Sequence, residues 1–334
     1  MRIQGRISTK FFLFCTFCLA MSCESGVRFG LQEQSEEFSQ SVAYNNKVDI
    51  LFVVDNSTSM KDHQQELSRT VPDLINKLNS LKMNYQVAVT TTTMSPNATN
   101  FPMTRQIVGS PKFLNQRNIN LLTSRLLVGD TGHDLEAAFD SVRWVLSDSY
   151  LSANAPGFLR PDALLALIFI GDEDDQSVGS TSNFESFLNQ IKPPFKEGGR
   201  AWLANFIGVT SPSSLCDSLG AHVSVGLRYM DMVNKSGGVK ESICDRNLSV
   251  AVANIKARIV EVITAYRLET EPNLSTVQVW LNGVPVSNDS ADGWTYETQI
   301  EPSGKKAHLI RFHGRSVPPA DGKVKVKYDP KTAG

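Results

Sequence analysis

The stretch that most constrains the fold is Ile50-Leu51-Phe52-Val53-Val54, an unbroken apolar run rich in β-branched residues. Such a run is the pattern of a strand buried on both faces of a parallel sheet. It stops at Asp55, and oxygen-bearing side chains follow at alternate positions: Asp55, Ser57 and Ser59. Leu67, Val71, Leu74, Ile75 and Leu78 then recur at helical spacing and predict a first helix. The carboxylate and hydroxyls therefore fall between a strand's carboxyl end and a helix's amino end, where open α/β sheets place their ligands. A hard cation such as Mg²⁺ takes oxygen ligands and keeps several waters, and these side chains can supply part of that octahedron. The plainer alternative is that Ser57 or Ser59 caps the helix and Asp55 only ends the strand.

Two further segments repeat the arrangement. Val128-Gly129-Asp130-Thr131-Gly132-His133-Asp134 precedes Leu135, Ala138, Phe139, Val142 and Leu146, which share one helical face. Thr131 or Asp130 reads equally as a helix N-cap or as a ligand. Leu164 to Ile170 is a second fully apolar strand, ending in Gly171-Asp172-Glu173-Asp174-Asp175. Four adjacent carboxylates repel one another unless a cation or solvent offsets them. As a charge run alone this would be a solvated acidic turn, with Asp175 its solvated end. Asp172, however, follows a buried strand and so faces the same crevice as Asp55.

Asp55-x-Ser-x-Ser resembles the first segment of the metal-ion-dependent adhesion site of von Willebrand factor A (VWA) domains. The resemblance covers roughly residues 47–265. It implies that Ser57, Ser59 and Thr131 bind Mg²⁺ (or Mn²⁺ or Ca²⁺) directly, while Asp55 and Asp172 act mostly through waters. The chain departs from the common Gly-Gly-Thr of the second segment, having Gly129-Asp130-Thr131. The implied fold is α/β: a Rossmann-like domain with a mostly parallel central sheet and helices on both faces. The implied mechanism is that the ion stays electrophilic and takes an acidic side chain from a partner protein.

The N-terminus reads as an export signal over residues 1–22: Arg2, Arg6 and Lys10 precede an apolar core from Phe11 to Met21, too short to cross a membrane. Ala20-Met21-Ser22-Cys23 is similar to the lipobox of bacterial lipoproteins, although Leu19 lies four residues before the Cys rather than three. Lipidation of Cys23 is the expectation, with ordinary secretion as the alternative. Glu24 after the Cys is similar to lipoproteins sorted to an outer membrane. Residues 23–46 read as a flexible tether, too polar to pack. Of five cysteines, only Cys216 and Cys244 lie in the folded body, and in an exported protein they most simply pair; two buried free thiols are the alternative.

Ala201 to Val209 reads as another core strand, and Leu227 to Val233 and Leu248 to Ile263 as closing helices, the former ended by Gly237-Gly238. From residue 266 to 334 the texture becomes that of a small all-β appendage, with Asn282-Gly283 as a hairpin turn. It is short for an independent core and is expected to dock on the larger domain. A net charge of -1 gives no reason to expect nucleic acid as partner. Nor does any Gly-x-Gly-x-x-Gly, Walker or Gly-x-Ser-x-Gly pattern point to a small-molecule substrate or to catalysis. The reading is an envelope lipoprotein that binds a partner protein through a divalent ion, without enzymatic activity. Its competitors are a structural lipoprotein whose ion only stabilises the fold, and a Mg²⁺-dependent enzyme.

Overall fold

The structure is a computed structural model, and it describes residues 34–37, 47–195, 199–218, 223–244, 247–300 and 304–331. The expected export signal and Cys23 lie outside the described residues. In chain order come β1 (Gln34–Glu37), β2 (Lys47–Val54), α1 (Lys61–Thr70), α2 (Pro72–Ser80) and β3 (Asn84–Thr91). Next are α3 (Leu122–Arg125), α4 (Ala138–Val145), α5 (Asp148–Asn154), β4 (Leu164–Gly171), α6 (Thr181–Ile191) and β5 (Trp202–Gly208). The α/β part closes with α7 (Ser214–Asp217), α8 (Leu227–Ser236), β6 (Lys240–Ser242) and α9 (Ser249–Ile263). Six strands follow: β7 (Tyr266–Leu268), β8 (Gln278–Leu281), β9 (Val284–Val286), β10 (Trp294–Ile300), β11 (Lys306–Phe312) and β12 (Val324–Tyr328).

The central sheet has five strands in the order β3-β2-β4-β5-β6, and each neighbouring pair is parallel. β2 and β4 lie side by side in its middle, with Val54 opposite Ile170. This register brings Asp55 and Asp172 to the same edge. The period of two along β2 decides which layer each residue serves. Ile50, Phe52 and Val54 pack with Leu67, Leu74 and Ile255 of α1, α2 and α9. Leu51 and Val53 pack on the other face with Phe139, Phe184 and Met232 of α4, α6 and α8. Full burial of such a side chain is worth about 1.5–3 kcal/mol, so this strand anchors both layers.

The single first helix expected from Leu67 to Leu78 is two, because Pro72 stands at the first turn of α2. Proline has no N–H for the carbonyl four residues back, and its ring crowds that turn. Gly237 ends α8 with φ of 71°, the left-handed cap expected there. Asn282 and Gly283 have φ of 53° and 82°, as a two-residue hairpin turn between β8 and β9 requires. Cys216 and Cys244 form a disulfide.

The C-terminal strands form two antiparallel sheets, β1-β12-β8-β9 and β10-β11-β7. They have no core of their own: Tyr266, Ile310, Phe312 and Val326 belong to the same buried cluster as Ile259 and Ile263 of α9. Ala320 N–H donates to the Leu81 carbonyl at 2.8 Å, and the Arg311 guanidinium to the Glu261 carbonyl at 2.9 Å. One expectation is corrected here. Residues 34–37, inside the stretch read as a flexible tether, pair antiparallel with β12. Strand pairing uses main-chain groups, so polar composition does not exclude it. The rest of residues 23–46 lies outside the described residues.

Candidate metal centre

β2 delivers Asp55 to the carboxyl edge of the sheet, where its N–H still bonds the Ile170 carbonyl of β4 at 2.8 Å. The side chain is buried. Oδ1 accepts from the Ser57 N–H at 2.7 Å and thereby shapes the turn, while Oδ2 is buried with no hydrogen-bond partner. The Ser57 and Ser59 hydroxyls lie 3.1 Å apart, Ser57 half-buried and Ser59 exposed. Ser57 precedes the short helical turn Thr58–Met60 without a side-chain capping bond, so the capping alternative does not describe it. Gly171 packs closely here: a Cβ there would sit 3.2 Å from the Asp55 Oδ2 and crowd that carboxylate. The next residue, Asp172, is also buried, and its Oδ1 also has no hydrogen-bond partner.

The middle loop is laced to this turn. Gln64 donates to the carbonyls of Asp55 (3.0 Å) and Gly129 (2.7 Å) and accepts from the Gly129 N–H (3.2 Å). Gly132 N–H donates to the Asn56 carbonyl at 2.7 Å, and a Cβ on Gly132 would collide with that same oxygen. The His133 N–H donates to the Thr93 hydroxyl (3.1 Å), which donates to Asn56 Oδ1 (2.9 Å). Thr131, expected just ahead of a helix, lies well before α4 begins at Ala138, so it is not its N-cap. Its side chain is exposed and hydrogen-bonds with none of the described residues. Leu135, expected on the buried helical face, precedes α4 and is 46% exposed.

Sequence reading passed over Glu136. Its side chain is 1% exposed, and neither carboxylate oxygen has a hydrogen-bond partner of sound geometry. Its main chain is held at both sides: its carbonyl accepts from the Gln176 N–H at 2.7 Å, and the following Ala137 N–H donates to Thr92 at 2.9 Å. The only local signal was an acid between Leu135 and Ala137 at the start of an apolar helical run, which reads equally as a polar helix face. Asn56, Gln64 and Thr93 carried no signal either, because their work is to bond loops distant in sequence.

The acidic turn is not uniformly solvated. Asp175 is buried: its carboxylate accepts from the Phe139 N–H (3.0 Å) and the Ser177 hydroxyl (2.7 Å), and it pairs with Arg228 at 3.2 Å. Asp174 accepts from the Asp175 and Arg228 N–H groups, each at 3.0 Å. The solvated reading fails because the half-buried Arg228 and the Phe139 N–H reach this turn from elsewhere in the chain.

Asp55 has the Ser57 N–H, but neither it nor Glu136 pairs with a cation among the described residues. Burial first, then the Asp172 charge, pushes the Asp55 carboxyl up to about 7, with Ser57 opposing. Burial and the Asp55 charge push Glu136 up to about 9, opposed in part by the neighbouring Thr92 hydroxyl. Among the described residues no three His, Cys, Asp or Glu side chains converge as a ready cage for an ion. The donor set is of another kind: orphaned carboxylate oxygens of Asp55 and Asp172 beside two serine hydroxyls. That set suits a hard divalent cation that keeps part of its water shell.

No family model matches the chain, and no curated protein matches it. Among solved structures it is similar to proximal thread matrix protein 1 of the mussel byssus, at 12% identity and a TM-score of 0.41, covering 67% of this chain and 50% of that one. It is also similar to the pilus adhesin SpaC of Lactobacillus rhamnosus GG, at 11% identity and 0.40, covering 84% and 38%. A third is the ArnB paralog VWA2 of Sulfolobus acidocaldarius, at 11% and 0.34, covering 86% and 59%. The chain thus spans about half the length of the first of these. The mussel protein is also described with a zinc-occupied MIDAS (metal-ion-dependent adhesion site) motif. VWA proteins are therefore among the structural neighbours.

Proposed function

We propose that this chain is an exported protein-interaction module that binds an acidic group of a partner protein through a divalent cation, Mg²⁺ or else Mn²⁺ or Ca²⁺. One observation carries the reading. At the carboxyl edge of the sheet, Asp55 Oδ2 and Asp172 Oδ1 are buried without partners among the described residues, and the turn after Asp55 carries the adjacent Ser57 and Ser59 hydroxyls. A buried carboxylate left without a counter-charge is costly, and a cation offsets that cost. A bound ion would supply an electrophilic centre for the partner's acidic group. Ser57 and Ser59 would offer it neutral oxygens, while Asp55 would offer its free oxygen and already braces the turn through the Ser57 N–H. Thr131 enters this set only through the VWA resemblance. The role is binding without catalysis. Tethering through a lipid on Cys23, in an outer membrane, completes the proposal.

Calorimetric titration of MgCl₂ and MnCl₂ into the intact chain tests it. One ion should bind, and Ser59→Ala, which leaves the Asp55 brace in place, should weaken it. Capture of envelope proteins on the immobilised chain should fall with EDTA and with Ser59→Ala together. If Ser59→Ala loses the ion while capture is unchanged, the ion serves the fold and the partner surface lies elsewhere.

A further inference from the structure

We infer that the middle loop contributes to the cation site through the Glu136 carboxylate and not through Thr131. The inference rests on the cation reading above and changes its chemistry. Thr131 is exposed, with no hydrogen bond to the described residues that would hold its hydroxyl in place. Glu136 is 1% exposed; neither carboxylate oxygen makes a hydrogen bond of normal geometry, and the Thr92 hydroxyl is the one neutral group that favours its charged form. Its backbone is fixed by the Gln176 N–H on one side and, through Ala137, by Thr92 on the other. Gln176 belongs to the loop that carries Asp172, and Thr92 precedes Thr93, which bonds Asn56 next to Asp55. The charges that act most strongly on Glu136 are those of Asp55, Glu173 and Asp172, all acidic.

A chain that buries a carboxylate among carboxylates carries repulsion that either a proton or a cation must remove, and a cation removes it with the carboxylates ionised. Thr131 would add a neutral oxygen at the rim. Glu136 adds a third negative charge, acting on the ion directly or through one of its waters, since among the described residues no closed cage of acids is present. The site then neutralises a divalent ion with its own charges. It holds that ion more tightly than the all-neutral direct ligand set implied by the resemblance.

The test is calorimetric titration of MnCl₂ and MgCl₂ into the intact chain carrying Thr131→Ala, Glu136→Gln or Glu136→Asp, with urea unfolding in EDTA as the control for folding. Glu136→Gln should weaken the ion by at least about tenfold, the scale of loss when a supporting group of a metal site is removed. Thr131→Ala should leave affinity within about twofold of wild type. In EDTA, Glu136→Gln should be no less stable than wild type, because an amide replaces an unpartnered buried acid. Should Glu136→Gln fail to fold, Glu136→Asp keeps the charge and should retain binding between those limits. Equal loss in Thr131→Ala and Glu136→Gln, or loss in Thr131→Ala alone, overturns the inference. So does wild-type affinity in Glu136→Gln, which leaves the cation reading standing. A wild-type chain that takes up no ion overturns the cation reading itself.

Discussion

Asp49 and Asp55 stand at opposite ends of β2, both buried, and they are treated in opposite ways. At the amino end Arg160 closes on Asp49: its main-chain N–H and its Nε each donate to the carboxylate at 2.7 Å. The same guanidinium continues to Asn84 Oδ1 at 2.7 Å and to the Val48 carbonyl at 3.0 Å. Lys192, also buried, donates to the Arg160 carbonyl at 2.7 Å. At the carboxyl end, Asp55 Oδ2, Asp172 Oδ1 and both Glu136 oxygens have no hydrogen-bond partner. One end satisfies its buried charge with the chain's own residues, and the other leaves it for something outside the chain. A parallel sheet allows this division, because its ligand crevice forms only at the carboxyl ends of the strands.

The comparison breaks most severely at the closed end. Arg160→Ala leaves Asp49 as an unpaired buried carboxylate and also releases Asn84 and the Val48 carbonyl. Removing one partner of a buried pair costs about 3–5 kcal/mol. Urea unfolding should show a loss of that order, the same with EDTA as with Mg²⁺. A loss that vanishes on adding Mg²⁺ would mean that the two ends are not independent.

A smaller effect separates two acids of the open end. Asp175 is satisfied by Phe139, Ser177 and Arg228, so Asp175→Ala should cost about 2 kcal/mol, the scale of hydrogen bonds to a charged group lost together with a buried pair. Asp172→Ala removes an unpartnered oxygen and should be neutral or stabilising in EDTA while weakening cation binding. If both variants lose the same stability in EDTA, Asp172 is a structural acid like its neighbour and the open end is misjudged.

What could be read from sequence follows the range of the interactions involved. The two central strands and the acids that end them were legible because a buried apolar run stopped by Asp is local information: Ile50 to Val54 then Asp55, Leu164 to Ile170 then Asp172. The turn at Asn282-Gly283 and the cap at Gly237 were legible for the same reason, since each needs a backbone conformation that few residues adopt. Glu136 was not legible, because its burial depends on bonds to Gln176 and Thr92, and neither lies beside it in sequence. Asp175 looked solvated because four acids in a row resemble a surface, while its cation, Arg228, comes from the distant α8. The orphaned state of Asp55 Oδ2 could not be read at all. It is a statement about which side chains fail to arrive.

The smallest effect is a pH slope, and it distinguishes the ends by sign and by response to cation. Burial raises Asp49 to about 6 against the opposing pull of Arg160, Asp55 to about 7, and Glu136 to about 9. An acid whose folded value is raised keeps its proton in the folded state where the unfolded chain has lost it. Its stabilising contribution is full below the unfolded value and is lost as pH rises through the folded one. Asp49 therefore acts between 3.8 and about 6, while Asp55 and Glu136 continue above that. His308, lowered by burial from 6.5, has the opposite sign below that pH, and Lys192, lowered by burial to about 8, has it above 8. Between these limits the open end dominates. In EDTA, the unfolding free energy from urea titrations should fall across this window with a slope on the order of 1 kcal/mol per pH unit. Saturating Mn²⁺ should flatten or reverse that fall, since the ion favours the ionised carboxylates, and Glu136→Gln should reduce it without any ion. Asp49→Asn should shift stability at every pH by removing the Arg160 pair, but should leave the slope across this window unchanged and alter the slope only at lower pH, with or without Mn²⁺. A fall that persists undiminished in Mn²⁺ would show that the ion does not meet these carboxylates, and the contrast between the two ends would reduce to one of burial alone.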